Sequence, residues 1–309
     1  MTQSKVEASS RGAVQRIAVL TVFSLAVAGP CPAAAPLPSD VTIQVLSRTL
    51  QPGEPVRIVA SGSAALDNVR GRWLEQPLSF APVDNRRQIW SAWAAVPLDA
   101  RAGNTAAEID ATYVDGRNVH RSHPLLIRSK RFPEERLSVA PRFAEPPPEV
   151  QQRLTEERAF LASVYARRTV PASNLTAFVR PVPGDASSIF GKRRVFNGKP
   201  RDPHPGLDLH AATGTPVRCS AAGTVVVARE LYYSGNTVIV DHGGGLFTVY
   251  AHLSRLDVVE DAPIASAAVL GLSGATGRVT GPHLHWGAKV GAIPFDPTAL
   301  LDPRLFPSL

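Results

Sequence analysis

Four histidines and one aspartate near the C-terminal end of the sequence have the types and spacing of metal-binding residues. Six of the eight histidines of the 309-residue chain fall between positions 204 and 285. His204-Pro205-Gly206-Leu207-Asp208 separates an imidazole and a carboxylate by four positions. An even separation returns both side chains to one face of an extended chain, so His204 and Asp208 can converge. Gly206 between them permits a close backbone approach or a kink.

Two further elements carry the other histidines. Tyr250-Ala251-His252-Leu253 ends an apolar strand pattern, and Gly281-Pro282-His283-Leu284-His285-Trp286 holds two histidines at i and i+2. Two imidazoles and one carboxylate leave a coordination position open for water, which is typical of catalytic zinc rather than of closed, cysteine-rich structural zinc. The combination of the elements beside glycine turns predicts a site, but spacing alone leaves open which histidine of the pair binds metal.

The segment that contains these elements reads as an all-β domain, which we place at residues 174–300, followed by a tail at 301–309. Strand patterns such as Thr237-Val238-Ile239-Val240 and Leu246-Phe247-Thr248-Val249-Tyr250 alternate with tight glycine turns. Runs rich in β-branched and aromatic residues between turns are typical of strands.

From about Ser188 to Trp286, a third of the chain, the sequence resembles the lysostaphin/LytM-type zinc endopeptidases of bacterial cell walls. The resemblance includes His204-Pro205-Gly206-Leu207-Asp208, Tyr250-Ala251-His252-Leu253 and the long block from Gly274 to Trp286. It implies an antiparallel β peptidase domain with a zinc ion bound by His204, Asp208 and His285. It also implies that His252 and His283 stay outside the coordination sphere.

The implied reaction is hydrolysis of peptide cross-links in peptidoglycan by a metal-activated water molecule. No His-Glu-x-x-His segment supplies a glutamate base. We therefore expect His252 and His283 to act as general base and oxyanion stabiliser, without an assignment within the pair. The bond that is cut, between D-alanine and a diamino acid or within a glycine bridge, stays open. Gly287 stands where the family often has an acidic residue, so a hydrogen bond to a ligand is expected to be missing.

The other histidines and the cysteine of this segment have plainer interpretations. We expect His210 to lie at the rim of the site, and His242 to be structural within its glycine-rich turn. Cys219 reads as a small buried apolar residue.

Residues 36–128 read as an accessory β-sandwich of immunoglobulin-like size. Apolar residues alternate with polar ones from Val41 to about Arg128, and turn clusters such as Asp67-Asn68 and Asp115-Gly116 recur about every ten residues. His120 and His123 have no acidic or cysteine partner in a ligand spacing, so we interpret them as solvated strand histidines.

Residues 129–173 form the predicted connector. A Pro- and charge-rich part, 129–146, precedes a helix that opens at Pro147-Pro148-Glu149 and ends before Pro171. Val150, Leu154, Leu161, Val164 and Tyr165 make its apolar stripe, which we interpret as a packing face between domains. Because Pro-rich joins permit relative motion, we expect the first domain to cover or orient the groove.

Residues 1–35 are predicted to be a secretory signal peptide. Lys5, Arg11 and Arg16 precede the apolar run from Ile17 to Ala28, and Ala33-Ala34-Ala35 offers a cleavage site. The protein is therefore expected in the periplasm or cell envelope, or secreted, with no membrane-spanning segment after removal of the signal. The net charge of +7 without a Lys/Arg-rich run argues against nucleic acid as a partner, and 44% hydrophobic residues exclude global disorder.

Two other functions share this sequence pattern. A non-catalytic regulator or wall-binding protein could retain the fold, and a peptidase of ordinary extracellular proteins could use the same centre. A regulator would be free to lose the ligands and the auxiliary histidines, whereas all five residues are present, which favours the enzyme. The sequence gives no indication of the oligomeric state.

Overall fold

The computed structural model describes residues 41–138, 146–170 and 175–307. Within these ranges the protein is mostly β, with one α-helix and short 3₁₀ helices. The prediction of a mostly β fold is confirmed. The predicted signal peptide, residues 1–35, lies outside the described residues.

The N-terminal region consists of two antiparallel sheets of four strands each. In spatial order the first sheet contains β1 (Thr42–Leu46), β2 (Pro55–Ser61), β6 (Ile89–Ala95) and β5 (Ala81–Pro82). The second contains β4 (Gln76–Leu78), β3 (Leu66–Trp73), β7 (Gly103–Tyr113) and β8 (Asn118–Ile127). Apolar residues of both sheets, among them Ile58, Trp73 and Ile109, form one buried core. The immunoglobulin-like character and the boundaries of this domain stay predictions.

The interpretation of Asp67-Asn68 as a turn is wrong. Both residues lie in β3, where the pairing with β7 shifts register between Leu66 and Asn68. A bulge of this kind puts an extra residue into a strand and bends it locally. Asp67 and Asn68 are residue types that are common in turns, but here they lie at an irregularity within a strand, and the chain does not reverse direction.

The C-terminal region is built on one antiparallel sheet of ten strands, and many β-branched and aromatic residues of these strands are buried. Its strands are β10 (Ala186–Ser188), β13 (Gly206–Leu209), β14 (Pro216–Arg218), β15 (Gly223–Leu231), β16 (Gly235–Asp241), β17 (Leu246–Leu256), β18 (Pro263–Ile264), β19 (Val269–Ser273), β20 (Leu284–Val290) and β21 (Ile293–Phe295). The central order β13-β20-β17-β16 brings the histidine-bearing strands side by side.

The predicted connector contributes regular structure to the C-terminal region. Its residues form β9 (Glu134–Leu137), which pairs in parallel with β11 (Arg193–Phe196), and β11 pairs with β12 (Lys199–Pro200). A strand held by a backbone ladder is not a loose join. The expectation of free motion along the whole Pro-rich segment therefore does not fit residues 134–137.

The predicted helix is present as α1 (Gln151–Tyr165), preceded by a 3₁₀ turn at Pro148–Val150. Leu154, Val164 and Tyr165 are its buried residues. Val164 and Tyr165 pack on Ile239 and Phe247 of the large sheet. The stripe is therefore a packing face, but it packs on the C-terminal sheet.

Several contacts join the N-terminal sheets to the C-terminal end of the chain. Arg48 bonds both to the buried Glu54 and, at 2.9 Å, to Asp296. Trp93 packs against Phe306, with ring centroids 5.7 Å apart. The residues predicted as a tail include 3₁₀ turns at Pro297–Leu301 and Pro303–Leu305, and Leu305 is buried. Residues 301–307 thus belong to the packed structure, because their apolar side chains complete the core shared with Trp93.

None of the helices in the described ranges combines the length and the apolar character that crossing a bilayer requires.

Candidate metal centre

His204, Asp208 and His285 bring three metal-binding atoms together. His204 Nε2 lies 3.0 Å from Asp208 Oδ1, His285 Nδ1 lies 2.9 Å from the same oxygen, and the two nitrogens are 3.1 Å apart. Donor atoms held at about 2.0 Å from a tetrahedral zinc ion would be roughly 3.3 Å from one another. The triangle of donors is slightly tighter than one face of such a tetrahedron and has the same shape.

Strand pairing places two of these residues opposite each other. Asp208 of β13 and His285 of β20 are direct partners in the antiparallel register. Gly206 faces Gly287 two positions along, and a Cβ added at Gly206 would lie 2.7 Å from His285 Cε1. The close approach predicted for Gly206 is thus confirmed, and it is the His285 ring that lies against this glycine. His204 precedes β13, so it reaches Asp208 from the adjoining loop rather than along one strand.

Backbone carbonyls fix the protonation of three of the histidines. His204 Nδ1 lies 3.1 Å from Ile189 O, His252 Nδ1 lies 2.8 Å from Thr276 O, and His283 Nδ1 lies 2.8 Å from Gly281 O. A carbonyl only accepts, so each Nδ1 carries the proton and donates it. In the neutral form of each ring the lone pair therefore lies on Nε2, where it can bind a metal ion or a proton.

His252 and His283 lie beside the three donor residues. Their ring centroids are 4.9 Å apart, and His283 Nε2 lies 3.7 Å from Asp208 Oδ1. His252 and His285 have ring centroids 6.0 Å apart. All five residues predicted from the sequence are therefore brought together, three around one point and two beside it.

The backbone of His252 has an unusual conformation. Its φ is +65°, in the left-handed region that non-glycine residues rarely adopt. The residue lies in β17 next to a register shift between Leu253 and Arg255, and its N–H donates to Ser234 O at 2.9 Å. Such strain costs on the order of 1 kcal/mol and persists where the surrounding structure imposes it.

Burial sets the charge state of the centre. Desolvation, together with the charge of His285, lowers the pKa of His204 to about 4. Desolvation, His285 and His283 lower the pKa of His252 to about 3. Burial alone would raise the pKa of Asp208, but the close His204 and His285 rings outweigh it and hold that pKa below its ordinary value. At neutral pH the centre therefore contains the Asp208 carboxylate beside the neutral imidazoles of His204 and His252. Carboxylate and neutral imidazole are ligands that a zinc ion prefers.

The sequence did not predict the roles of Arg194 and Glu135. Arg194 bonds to Asp208, and Glu135 lies next to Arg194. Arg194 Nη2 donates to Asp208 Oδ2 at 3.3 Å. Glu135 of β9 lies 3.6 Å from Arg194 Nε and accepts from Lys192 at 2.6 Å. Because Glu135 lies in the predicted connector, no local sequence pattern links it to this centre. Arg194 thus holds Oδ2 of Asp208, while Oδ1 is one of the three atoms of the donor triangle.

The centre opens into a cavity of about 450 Å³. Asp208, His252, His283 and His285 line one part of it, and residues 277–280 line another. Glu135 and Leu137 of β9 contribute to the wall. A peptide segment in this cavity would contact the auxiliary histidines and the donor triangle at the same time.

His242 has a buried ring whose two nitrogens are both hydrogen-bonded within the protein, which fits the interpretation as a structural residue. His242 Nδ1 lies 2.8 Å from Ala222 O, and its Nε2 lies 2.8 Å from Thr248 Oγ1. Burial lowers its pKa to about 4. His210 is exposed, and it does not line the cavity of the centre.

Cys219 is fully buried, and its thiol donates to Ala221 O at 2.9 Å, which fits the interpretation as a small core residue.

His285 has the open flank that the sequence predicts. Its Nε2 has no hydrogen-bond partner among the described residues, and a Cβ added at Gly287 would lie 3.6 Å from that nitrogen. An acidic side chain at this position would reach the ring, and glycine supplies none.

His120 of the N-terminal sheets corrects one sequence interpretation. It is exposed, as expected, but it does have acidic partners. Its Nδ1 lies 2.8 Å from Asp110 Oδ1, and its Nε2 lies 3.1 Å from Glu108 Oε2. Both acids come from the neighbouring strand β7, so their spacing in the sequence gave no sign of the contact.

The large sheet and the donor triangle lie in a part of the chain that is similar to a known family of peptidases. Residues 202–297 match the model of Peptidase family M23. The matched residues include all three donors and both auxiliary histidines.

Curated relatives of this domain carry peptidoglycan peptidase names. The chain is 45% identical over 101 residues to peptidoglycan DD-endopeptidase ShyA of Vibrio cholerae, a match that covers 32% of this chain and 24% of that protein. DD-carboxypeptidase/endopeptidase Mpg of Neisseria meningitidis is 40% identical over 100 residues, with 32% of this chain and 23% of that protein covered. The matches therefore concern the peptidase domain and a minor part of each relative.

A solved structure shares more of the architecture. A Pseudomonas aeruginosa protein assigned to peptidase M23 superposes with a TM-score of 0.61 at 25% identity, covering 83% of this chain and 96% of that chain. The similarity thus extends beyond residues 202–297 into the preceding parts of the chain.

Proposed function

We propose that the chain is a zinc metallo-endopeptidase that hydrolyses peptide cross-links of bacterial peptidoglycan. The observation that carries this proposal is the convergence of His204 Nε2, Asp208 Oδ1 and His285 Nδ1 within 2.9–3.1 Å of one another. Two further imidazoles, those of His252 and His283, lie beside these atoms with Nδ1 bonded to a backbone carbonyl.

The donor set fits a catalytic zinc ion. His204, Asp208 and His285 would hold the metal, and among the described residues no fourth protein donor joins their cluster. When bound, zinc supplies a Lewis acid that acidifies a water molecule and polarises a carbonyl oxygen. Arg194 keeps the Asp208 carboxylate oriented through its outer oxygen.

His252 and His283 supply proton transfer and oxyanion stabilisation. One neutral imidazole accepts the proton that the attacking water loses, and it later returns that proton to the leaving amine nitrogen. The other ring must carry a proton on Nε2 as well, so that it donates to the oxygen on which negative charge develops. The carbonyls of Thr276 and Gly281 accept from Nδ1 of both rings, so Nε2 is the atom that accepts the proton in one ring and donates in the other.

Peptidoglycan as substrate rests on the relatives. ShyA and Mpg are named for endopeptidase activity, in ShyA explicitly on peptidoglycan, and their peptidase segments are 45% and 40% identical to this chain. A wall substrate requires export, which agrees with the signal peptide expected at residues 1–35. The five retained residues of the centre favour an enzyme over a non-catalytic regulator, because a regulator needs none of them.

Mass spectrometry of wall digests tests the proposal. Protein beginning at Pro36, loaded with zinc, is incubated with purified peptidoglycan, and soluble fragments are analysed. We expect cross-linked fragments to be converted to separate peptides, and His285→Ala to give none. His210→Ala, which removes an exposed histidine of the same domain, should digest the wall like the wild type. Intact cross-links after treatment with folded, zinc-loaded wild type would refute the proposed activity.

A further inference from the structure

Arg278 occupies an unusual position in the loop between β19 and β20. Its guanidinium lies 4.4 Å from the ring centroid of Tyr233 and 5.0 Å from that of Phe196. Its backbone N–H donates to Tyr233 O at 2.8 Å. Stacking against two aromatic rings restricts a side chain that would otherwise move freely. The planar group is therefore held in a fixed place in the cavity wall.

The Arg278 guanidinium lacks an ion-pair partner in the part of the chain that the structure describes. Among the described residues it makes no ion pair and no side-chain hydrogen bond, although Asp202 lies near enough to act on its charge. Burial lowers the pKa of Arg278, and the charges of Arg194 and Arg201 lower it further. A partly buried cation with unused N–H donors is costly unless an anion approaches it.

Arg278 lies where two cavities meet. The cavity of the metal centre shares Arg194, Phe196 and Arg278 with a neighbouring cavity of about 720 Å³. The second cavity is also lined by Arg158 and Arg201, and Asp202 is its acidic residue. The groove thus becomes strongly basic beyond the auxiliary histidines.

The neighbouring Arg194 of this groove already has carboxylate partners within the protein. Arg194 donates to Asp208 and faces Glu135, so its charge is balanced by protein carboxylates. Arg278 differs because it lines both cavities, lies over the rings of Phe196 and Tyr233, and makes no ion pair with a carboxylate of the described residues. Bidentate hydrogen bonds from a guanidinium fork match the geometry of a carboxylate.

We propose that Arg278 binds a free carboxylate of the substrate peptide, at the end of the groove beyond the metal centre. The inference rests on the proposed peptidase function and names the substrate class of that site. A cross-link whose residues carry free carboxylates would occupy both the centre and the basic end of the groove. An uncharged glycine bridge would leave Arg278 without an anion. The cut bond therefore belongs to an anionic stem peptide.

Two synthetic cross-linked peptides test this assignment. The first carries free carboxylates on the residues flanking the scissile bond, and the second carries the same groups as amides. Wild type, Arg278→Gln, Arg278→Lys and the control Arg193→Gln are compared for kcat/KM and for zinc content. Arg193 is an exposed residue of β11 that lines neither cavity, so its substitution removes an equal charge nearby.

Selective loss is the expected result. Wild type should prefer the free carboxylate, and Arg278→Gln should lower kcat/KM for that peptide by about 10- to 100-fold, the scale of a charge-assisted hydrogen bond. On the amidated peptide Arg278→Gln should stay within about twofold of wild type, since no ion pair is lost there. Arg278→Lys should fall between them, and Arg193→Gln should match wild type with zinc retained in every variant.

Binding to metal-free protein separates this inference from the proposed activity. Fluorescence anisotropy measures affinity for a labelled product peptide, with and without its carboxylates, on zinc-depleted wild type and Arg278→Gln. If the wild type cleaves neither peptide but binds the carboxylate form through Arg278, the proposed activity fails and the anion site stands. Equal binding of acid and amide by the wild type, or equal loss of both peptides by a folded Arg278→Gln, would overturn the assignment.

Discussion

Two clusters of the described residues in which histidine contacts carboxylate behave in opposite ways. In the N-terminal sheets, His120 contacts Asp110 and Glu108, with 60% of its side chain exposed. In the C-terminal sheet, His204 contacts Asp208 with its side chain fully buried. The hydrogen bond to Asp110 raises the pKa of His120, whereas burial lowers that of His204 to about 4.

Residue types alone therefore do not make a metal centre. An exposed imidazole beside two acids holds a proton more readily, and a protonated nitrogen cannot bind metal. A buried imidazole whose far nitrogen is held by a carbonyl stays neutral and offers a lone pair. Burial and the carbonyl partner distinguish the centre from the surface pair.

Loss of an auxiliary histidine should have the largest effect on turnover. His283→Ala and His252→Ala each remove a proton-transfer or oxyanion partner, so kcat should fall by about 100-fold or more. His120→Ala, which removes the surface counterpart, should leave kcat unchanged. Steady-state kinetics on a defined cross-linked peptide makes the comparison. Wild-type turnover in both site variants would exclude these roles.

Crowding the centre should weaken metal binding. A Cβ at Gly206 would lie 2.7 Å from His285 Cε1 and Nε2, so Gly206→Ala should displace a ligand. We expect zinc affinity to drop by about 10- to 100-fold, the scale seen when the orientation of a metal ligand is disturbed. The matched control is Gly281→Ala, because no atom lies within 4 Å of a Cβ there. Competition with a zinc-sensitive chelator gives both affinities, and equal values would contradict the close approach.

A buried histidine outside the centre should make stability depend on pH. The folded pKa of His242 is lowered to about 4, so between that value and the ordinary 6.5 the unfolded chain binds more protons and stability falls as pH falls. His242→Gln removes this penalty. The stability difference between wild type and variant should therefore shift by about 2 kcal/mol in favour of the variant between pH 7.5 and pH 5.

Urea unfolding of the two proteins at both pH values measures that shift, and the contributions of His204 and His252 cancel in the difference. His210→Gln is the matched control for an exposed histidine. A difference between wild type and His242→Gln that stays constant with pH would mean that His242 is not held neutral.

The smallest expected effect concerns the surface cluster. NMR titration should place the pKa of His120 above the ordinary histidine value, because Asp110 and Glu108 favour its charged form. Asp110→Asn should bring the pKa of His120 back towards that value. A pKa of His120 at or below the ordinary value in the wild type would remove the contrast between the clusters.

Much of the centre could be predicted because its parts lie in short sequence elements. His283 and His285, and His204 and Asp208, are separated by two and four positions, so local geometry and the family resemblance were sufficient to select them. Similarly, the spacing of Leu154, Val164 and Tyr165 predicted the buried face of α1.

The supporting residues could not be predicted because they come together only through tertiary pairing. Glu135 reaches Arg194 because β9 pairs with β11 across a separation of 59 positions. The contacts of His120 with Asp110 and Glu108 depend on the register of β7 with β8. A connector composition rich in proline and charge conceals a strand when the partner strand lies elsewhere in the chain.

Zinc content is the most direct test of the centre. Wild type, His285→Ala and His283→Ala are purified, loaded with zinc, dialysed and analysed for bound metal, with circular dichroism confirming the fold. One zinc ion per chain is expected in the wild type and in His283→Ala, and almost none in His285→Ala. Folded wild type without metal, or zinc retained in His285→Ala and lost in His283→Ala, would contradict it.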